Sequence, residues 1–271
     1  MDPRLQRRVQ RYGWDKAAPL YEQYWQQQLA PAQRRLLELA ALVPGEQVLD
    51  VACGTGLVTF PAASAVGPSG AVLATDISDA MVAAVTAEAA RRRLPGVTAR
   101  RMDAEQLDAP DATFDAVLSA LGLMYVPDPL RALSEFRRVL RPGGRVVLAV
   151  WGARARCGWA EIFPIVDRRV ASEVCPMFFQ LGTGGALEMV ARRAGFTDVT
   201  ADRLSTTLEY ATDDEACGAV FAGGPVALAY SRFDDRTRAE AHVEYLASIA
   251  PFRTAAGYAV PGEFVVVRAG G

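Results

Sequence analysis

VLDVACGTG, Val48 to Gly56, runs from apolar, β-favouring residues through Asp50 into two glycines one residue apart, and LVTFPAASAV, which suits a helix, follows. That order predicts a strand, a tight turn and a helix start. Without side chains at Gly54 and Gly56, backbone amides at a helix N-terminus can close around a small ligand. The third glycine of the dinucleotide pattern G-x-G-x-x-G is absent, because Leu57, Val58 and Thr59 follow Gly56, and this weakens a pyrophosphate reading. Asp50, four residues before Gly54, would repel a phosphate but suits a ligand with positive charge.

Asp50, Ala52, Cys53, Gly54, Thr55 and Gly56 resemble the first motif of the class I S-adenosylmethionine-dependent methyltransferases, D-x-[GA]-C-G-T-G, whose cofactor carries an ammonium and a sulfonium. The next segments keep the order of that family. AVLAT, 71–75, reads as a second strand ending at Asp76, 22 residues beyond Gly54; an acid there can accept both hydroxyls of an adenosine ribose. Ser78 can cap a helix from Asp79 to about Arg93. A short strand, Val97 to Arg101, leads into MDAEQL, which is similar to the family's G-D-A-E-x-L with Met102 in place of the glycine. The resemblance implies that Asp103 accepts the adenine amino group and that the Ala104 amide meets a ring nitrogen. Thr113-Phe114-Asp115 opens a buried strand through Ser119, and EFRRVLRPGGR looks like the family's helix-to-strand joint before a strand from Arg145 to Trp151.

The likeness runs from about Glu46 to Trp151 and is nearest to the ubiquinone/menaquinone-biosynthesis group. It implies an α/β, doubly wound, Rossmann-like sheet of seven strands in the order 3-2-1-4-5-7-6, the last antiparallel, with helical lid segments. It also implies S-adenosyl-L-methionine as cofactor, S-adenosyl-L-homocysteine as product and a small-molecule acceptor. The implied cofactor-binding residues are Tyr21, Asp50, Ala52, Gly54, Thr55, Gly56, Asp76, Ile77, Met81, Asp103, Ala104, Glu105 and Ser119.

The 271 residues suffice for one large domain. With 51% hydrophobic residues and a formal charge of −2, the chain has no basic footprint for nucleic acid. Lys16 is the only lysine and His242 the only histidine, and Cys53, Cys157, Cys175 and Cys217 form no C-x-x-C pair, so no metal site is expected. No leader-like or membrane-spanning apolar run is evident, which predicts a cytoplasmic protein. The oligomeric state is not specified.

Residues 1–30 read as an N-terminal helical lid and 31–271 as the methyltransferase domain, with Pro31 expected to open a separate helix over 32–42. Tyr21, Tyr24, Trp25 and Gln28 recur at helical spacing, giving an aromatic stripe that can anchor the helix or cover a cationic ligand. Acceptor-binding insertions are expected at 157–182 and 205–260. Candidate acceptor contacts are Trp25, Met124, Tyr125, Trp159, Phe163 and Phe178. No motif supplies a general base; His242 and Tyr125 are the candidates, with Glu161 and Tyr258 behind them. The alternatives are an NAD(P)-dependent oxidoreductase and a catalytically silent S-adenosylmethionine-binding protein. The first lacks the Tyr-x-x-x-Lys pair at a useful place, because Tyr12 and Lys16 have that spacing only before the first strand.

Overall fold

The computed structural model describes residues 2–170 and 178–271. Cys175 and the middle of the expected 157–182 insertion lie outside the described residues. In chain order the elements are α1 (Pro3–Ala40), β1 (Gln47–Val51), α2 (Thr59–Val66), β2 (Ala71–Asp76), α3 (Asp79–Arg92), β3 (Val97–Arg101), β4 (Phe114–Ala120), α4 (Pro129–Val139) and β5 (Leu140–Trp151). There follow α5 (Ile162–Asp167), α6 (Ala186–Arg193), β6 (Thr197–Tyr210), α7 (Asp213–Cys217), α8 (Ala227–Tyr230), α9 (Asp235–Ile249), the two-residue β7 (Arg253–Thr254) and β8 (Gly257–Gly270).

The strands form one sheet in the order β3-β2-β1-β4-β5-β8-β6, with β7 pairing only to β8. Strands β1 to β5 are parallel, and β8 runs antiparallel to both β5 and β6. This is the expected doubly wound order with one short hairpin strand added. The central strands are mostly apolar because both faces are covered: Val48, Leu49, Val117, Leu118, Val147 and Leu148 are fully buried. At the base of the sheet Asp115 accepts from the Gln47 amide at 2.7 Å and pairs with Arg141 at 2.7 Å, away from the strand ends that carry the glycine loop.

The N-terminal region differs from the expected two helices. A single helix of 38 residues runs through both Pro19 and Pro31. A proline inside a helix removes one backbone bond and crowds the preceding turn. Here burial opposes that loss, since Ala17, Trp25, Leu29, Ala32, Leu36 and Ala40 all enter the core from this one helix. Gln28 ties the helix to the sheet: its amide nitrogen donates to the Glu209 carbonyl at 2.6 Å and its amide oxygen accepts from the Glu209 amide at 3.1 Å.

The sequence predicts a sixth strand over 196–204 and a last, apolar and β-branched strand over 263–268, and β6 and β8 extend beyond both. Their long mutual ladder runs from Thr197↔Gly270 to Tyr210↔Tyr258. The sequence hid this because β6 is an edge strand whose first eleven residues are exposed or half-exposed, so it lacks a buried run.

Candidate active site

At the carboxyl ends of β1, β2 and β4 the backbone turns sharply. Ala52 (φ 57°) and Leu121 (φ 62°) hold left-handed conformations that are costly for residues with side chains, as do Gly54 (φ 55°) and Gly56 (φ 97°) at no such cost. A Cβ on Gly54 would stand 3.6 Å from the Tyr21 ring, and one on Gly122 only 2.2 Å from Ala52 Cβ. The two strand ends thus approach each other closely, with α1 above them.

These turns border a cleft. One half is lined by Ala52, Gly54, Asp76, Ile77, Met81, Asp103 and Ala104; the other by Leu29, Trp25, Met124, Tyr125, Trp151 and Trp159. Helix α1 roofs both, contributing Arg7, Gln10, Trp14, Tyr21, Trp25 and Leu29.

Asp76 is nearly buried, and burial pushes its carboxyl up to about 6, against the opposing pull of the amides that bond it. Its oxygens accept from Gly54 N at 3.0 Å and Ser78 N at 2.9 Å. Asp50 is 1% exposed and is pushed up to about 7 by burial. One of its oxygens accepts from the Thr59 hydroxyl at 2.6 Å; the other is buried without a partner. Thr55 Oγ1 and Ser119 Oγ, each adjacent in sequence to a lining residue, are likewise buried and unpaired. Two desolvated carboxylates beside unpaired oxygens favour a ligand that brings positive charge and hydrogen-bond donors. S-adenosylmethionine fits this set: its ribose hydroxyls suit Asp76, its adenine amino group Asp103, and its ammonium the strand-end oxygens near Asp50.

The roof is fastened by polar contacts. Arg7 Nε lies 2.7 Å from Asp103 Oδ2, and its guanidinium also bonds Glu105, which burial pushes above its ordinary range. Asp15 Oδ1 accepts from Ser78 Oγ at 2.6 Å and Ala80 N at 3.1 Å, at the start of α3. Trp14 packs edge-on against Tyr21 and Tyr125.

Of the residues named from sequence, Tyr21, Ala52, Gly54, Asp76, Ile77, Met81, Asp103 and Ala104 line the cleft, as do Trp25, Met124, Tyr125 and Trp159. Asp50, Thr55, Gly56, Glu105 and Ser119 stand behind or beside it. Phe163 and Phe178 pack on Trp159 rather than on the cleft, with ring centroids 5.7 Å away in each case. His242 bonds the Tyr230 hydroxyl at 2.9 Å and does not line the cleft. Nor do Glu161, paired with Arg154, and Tyr258, whose hydroxyl donates to Asp213 at 2.7 Å. Arg7, Gln10, Trp14 and Trp151 were not foreseen. The signal was present in the first three, since 7, 10, 14, 21, 25 and 29 share one helix face once α1 is continuous.

Among the described residues no group of His, Cys, Asp and Glu could hold a metal ion, and no helix is long and apolar enough to cross a membrane. The described cysteines, Cys53, Cys157 and Cys217, are free and buried.

Residues 49–148 match the methyltransferase domain family. The chain is 40% identical over 135 residues to a nocamycin O-methyltransferase from Saccharothrix syringae, covering 50% of this chain and 48% of that protein. It is 42% identical over 121 residues to a ubiquinone/menaquinone biosynthesis C-methyltransferase from Ectopseudomonas mendocina, covering 42% and 45%. The matched segment is therefore about half the length of these relatives. Among solved structures, the Haemonchus contortus phosphoethanolamine N-methyltransferase 2, in complex with S-adenosyl-L-methionine, superposes with a TM-score of 0.60 at 19% identity, over 93% of this chain and 57% of that one. Residues 49–148 thus match a methyltransferase domain, and over part of its length the chain is similar to the ubiquinone/menaquinone biosynthesis C-methyltransferases.

Proposed function

We infer that the protein transfers a methyl group from S-adenosylmethionine to a small aromatic or lipid-like acceptor. One observation carries this reading: a single cleft is lined both by Gly54, Asp76 and Asp103 and by the uncharged Trp25, Trp151 and Trp159. When bound, the cofactor supplies a methyl whose bond to sulfur breaks, leaving its electrons on sulfur, as an electron pair of the acceptor forms the new bond. The chain's own residues then have three tasks. Asp76 and Asp103 orient the nucleoside, Asp50 balances the ammonium, and α1 with its aromatic side chains excludes water and aligns the acceptor.

Relatives that act on both oxygen and carbon support a small-molecule acceptor without choosing the nucleophile. The oxidoreductase alternative gains nothing: Lys16 is exposed, and Tyr12 is 48% exposed, far from lining the cleft.

Titration with S-adenosylhomocysteine and, separately, with NAD tests the cofactor assignment. Micromolar binding of the first and none of the second is expected; the reverse overturns it. Label from methyl-labelled donor appearing in a phenol, quinol or lipid acceptor distinguishes an enzyme from a silent binder.

A further inference from the structure

We propose that Trp159 determines acceptor specificity, its indole N–H donating to a carbonyl or enolate oxygen of an acceptor that is itself acidic. This rests on the methyltransferase reading above. Trp159 lines the cleft, is 1% exposed, and its Nε1 has no hydrogen-bond partner among the described residues. Its neighbour Trp25, with ring centroid 6.1 Å away, meets the same need internally by donating Nε1–H to the Ala219 carbonyl at 3.2 Å. Buried donors in folded proteins are almost always paired, so an unpaired one on a side chain that lines the cleft marks a bond left for a ligand to complete.

The chemistry of the group narrows the ligand. An indole nitrogen only donates, so the atom facing it carries a lone pair and is not an ammonium. Trp25, Trp151 and Trp159 lie within 4.9–6.2 Å of one another, an arrangement suited to a flat, unsaturated ring system. The charged lining residues, Arg7, Asp76 and Asp103, belong to the nucleoside half, and no histidine or lysine is among the described lining residues.

With no imidazole or amine on the described lining, and with Asp76 held by two backbone amides and Asp103 by Arg7, the acceptor gives up its own proton to water before it enters the cleft. Its enolate electron pair then forms the bond to the methyl carbon as the carbon–sulfur bond breaks. A hydrogen bond from Trp159 to the conjugated oxygen favours that ionised form. The class is therefore a vinylogous acid, an enolised 1,3-dicarbonyl or a hydroxyquinone, rather than an amine.

The test uses the full chain saturated with S-adenosylhomocysteine and two probes, 2-hydroxy-1,4-naphthoquinone and 2-naphthol. The wild type is expected to bind the naphthoquinone at least about tenfold more tightly, as one hydrogen bond to a charged oxygen allows. Trp159→Phe should reduce that preference to about threefold or less with S-adenosylhomocysteine affinity unchanged, whereas Trp25→Phe should shift both probes together. In the wild type, one indole N–H resonance should move downfield with the naphthoquinone and not with 2-naphthol, a readout independent of any variant. No binding of the naphthoquinone, no preference in the wild type, or a preference retained in Trp159→Phe overturns the proposal. Failure to bind S-adenosylhomocysteine at all overturns the methyltransferase reading instead.

Discussion

Arg7 Nε stands 2.7 Å from Asp103 Oδ2, joining the start of the first helix to the loop after β3 across 96 residues of sequence. The same guanidinium bonds Glu105, whose side chain is 2% exposed and also accepts from the Asp128 amide at 2.9 Å. The carboxylate proposed to meet adenine and the helix that roofs it are therefore held by one cation. Arg7→Ala leaves Glu105 buried with less compensation. It should lower unfolding stability by about 1–3 kcal/mol and weaken S-adenosylhomocysteine binding severalfold. Urea midpoints and calorimetric titration check this; unchanged affinity would separate the roof from the cofactor site.

Asp76 accepts two backbone amides and faces the cleft. If it also holds both ribose hydroxyls, Asp76→Ala removes two charge-assisted bonds to the ligand, each worth about 1.5–3 kcal/mol. S-adenosylhomocysteine affinity should fall by about a hundredfold or more. A loss of under threefold would remove Asp76 from the site.

The raised carboxyls of Asp50, about 7, and Asp76, about 6, set a pH dependence. In the unfolded chain both titrate near the ordinary aspartate value of about 3.9. Between that value and about 7 the ligand-free native protein holds protons that the unfolded chain releases. Its stability should therefore fall as pH rises through this window. A ligand that places an ammonium near Asp50 and donates ribose hydroxyls to Asp76 favours the ionised carboxylates, so S-adenosylhomocysteine affinity should rise over the same interval and level off above it. Melting temperatures at pH 5 and 8, with and without the ligand, measure both slopes. In Asp50→Asn the fall in ligand-free stability should be smaller.

Gly122 has no room for a methyl group, because its Cβ would lie 2.2 Å from that of Ala52. Gly122→Ala should cost about 1–3 kcal/mol through forced displacement and weaken cofactor binding, since Ala52 lines the cleft. Gly143→Ala, where nothing lies within 4 Å but φ is +80°, isolates the backbone cost alone. Equal losses in the two variants would refute the close approach of the strand ends.

His242 stacks on Tyr230 at an interplanar angle of 14° and packs against Phe221, and burial lowers its pKa. His242→Gln should leave methyl transfer within about twofold of wild type while reducing stability by about 1 kcal/mol, as is usual for a partly buried polar substitution. A hundredfold fall in kcat at unchanged stability would restore it as a base.

Strands β1, β2 and β4 were legible because each carries a short apolar run that leads to a residue with a job: Asp50, Asp76 and Ser119. The edge strand β6 was read too short because exposure on its outer face erases the apolar pattern. Helix α1 was divided at Pro31 because local propensity is a weak prior against the burial of Leu29, Ala32 and Leu36 on either side of that proline. Arg7, Gln10 and Trp14 lie before that proline on the same face as Tyr21 and Trp25, and they were missed because the aromatic stripe was followed only from Tyr21 onward.

By itself the amino-acid order determined the strand sequence, the glycine turn and the three acids, because these depend on spacing within one βαβ unit after another. Which tryptophans share a wall was decided only by the tertiary structure. Trp25, Trp151 and Trp159 come from α1, the end of β5 and the segment before α5, so no local period relates them. They meet because the roofing helix and the sheet bury their apolar surfaces against each other, and that burial leaves the Trp159 N–H without a partner.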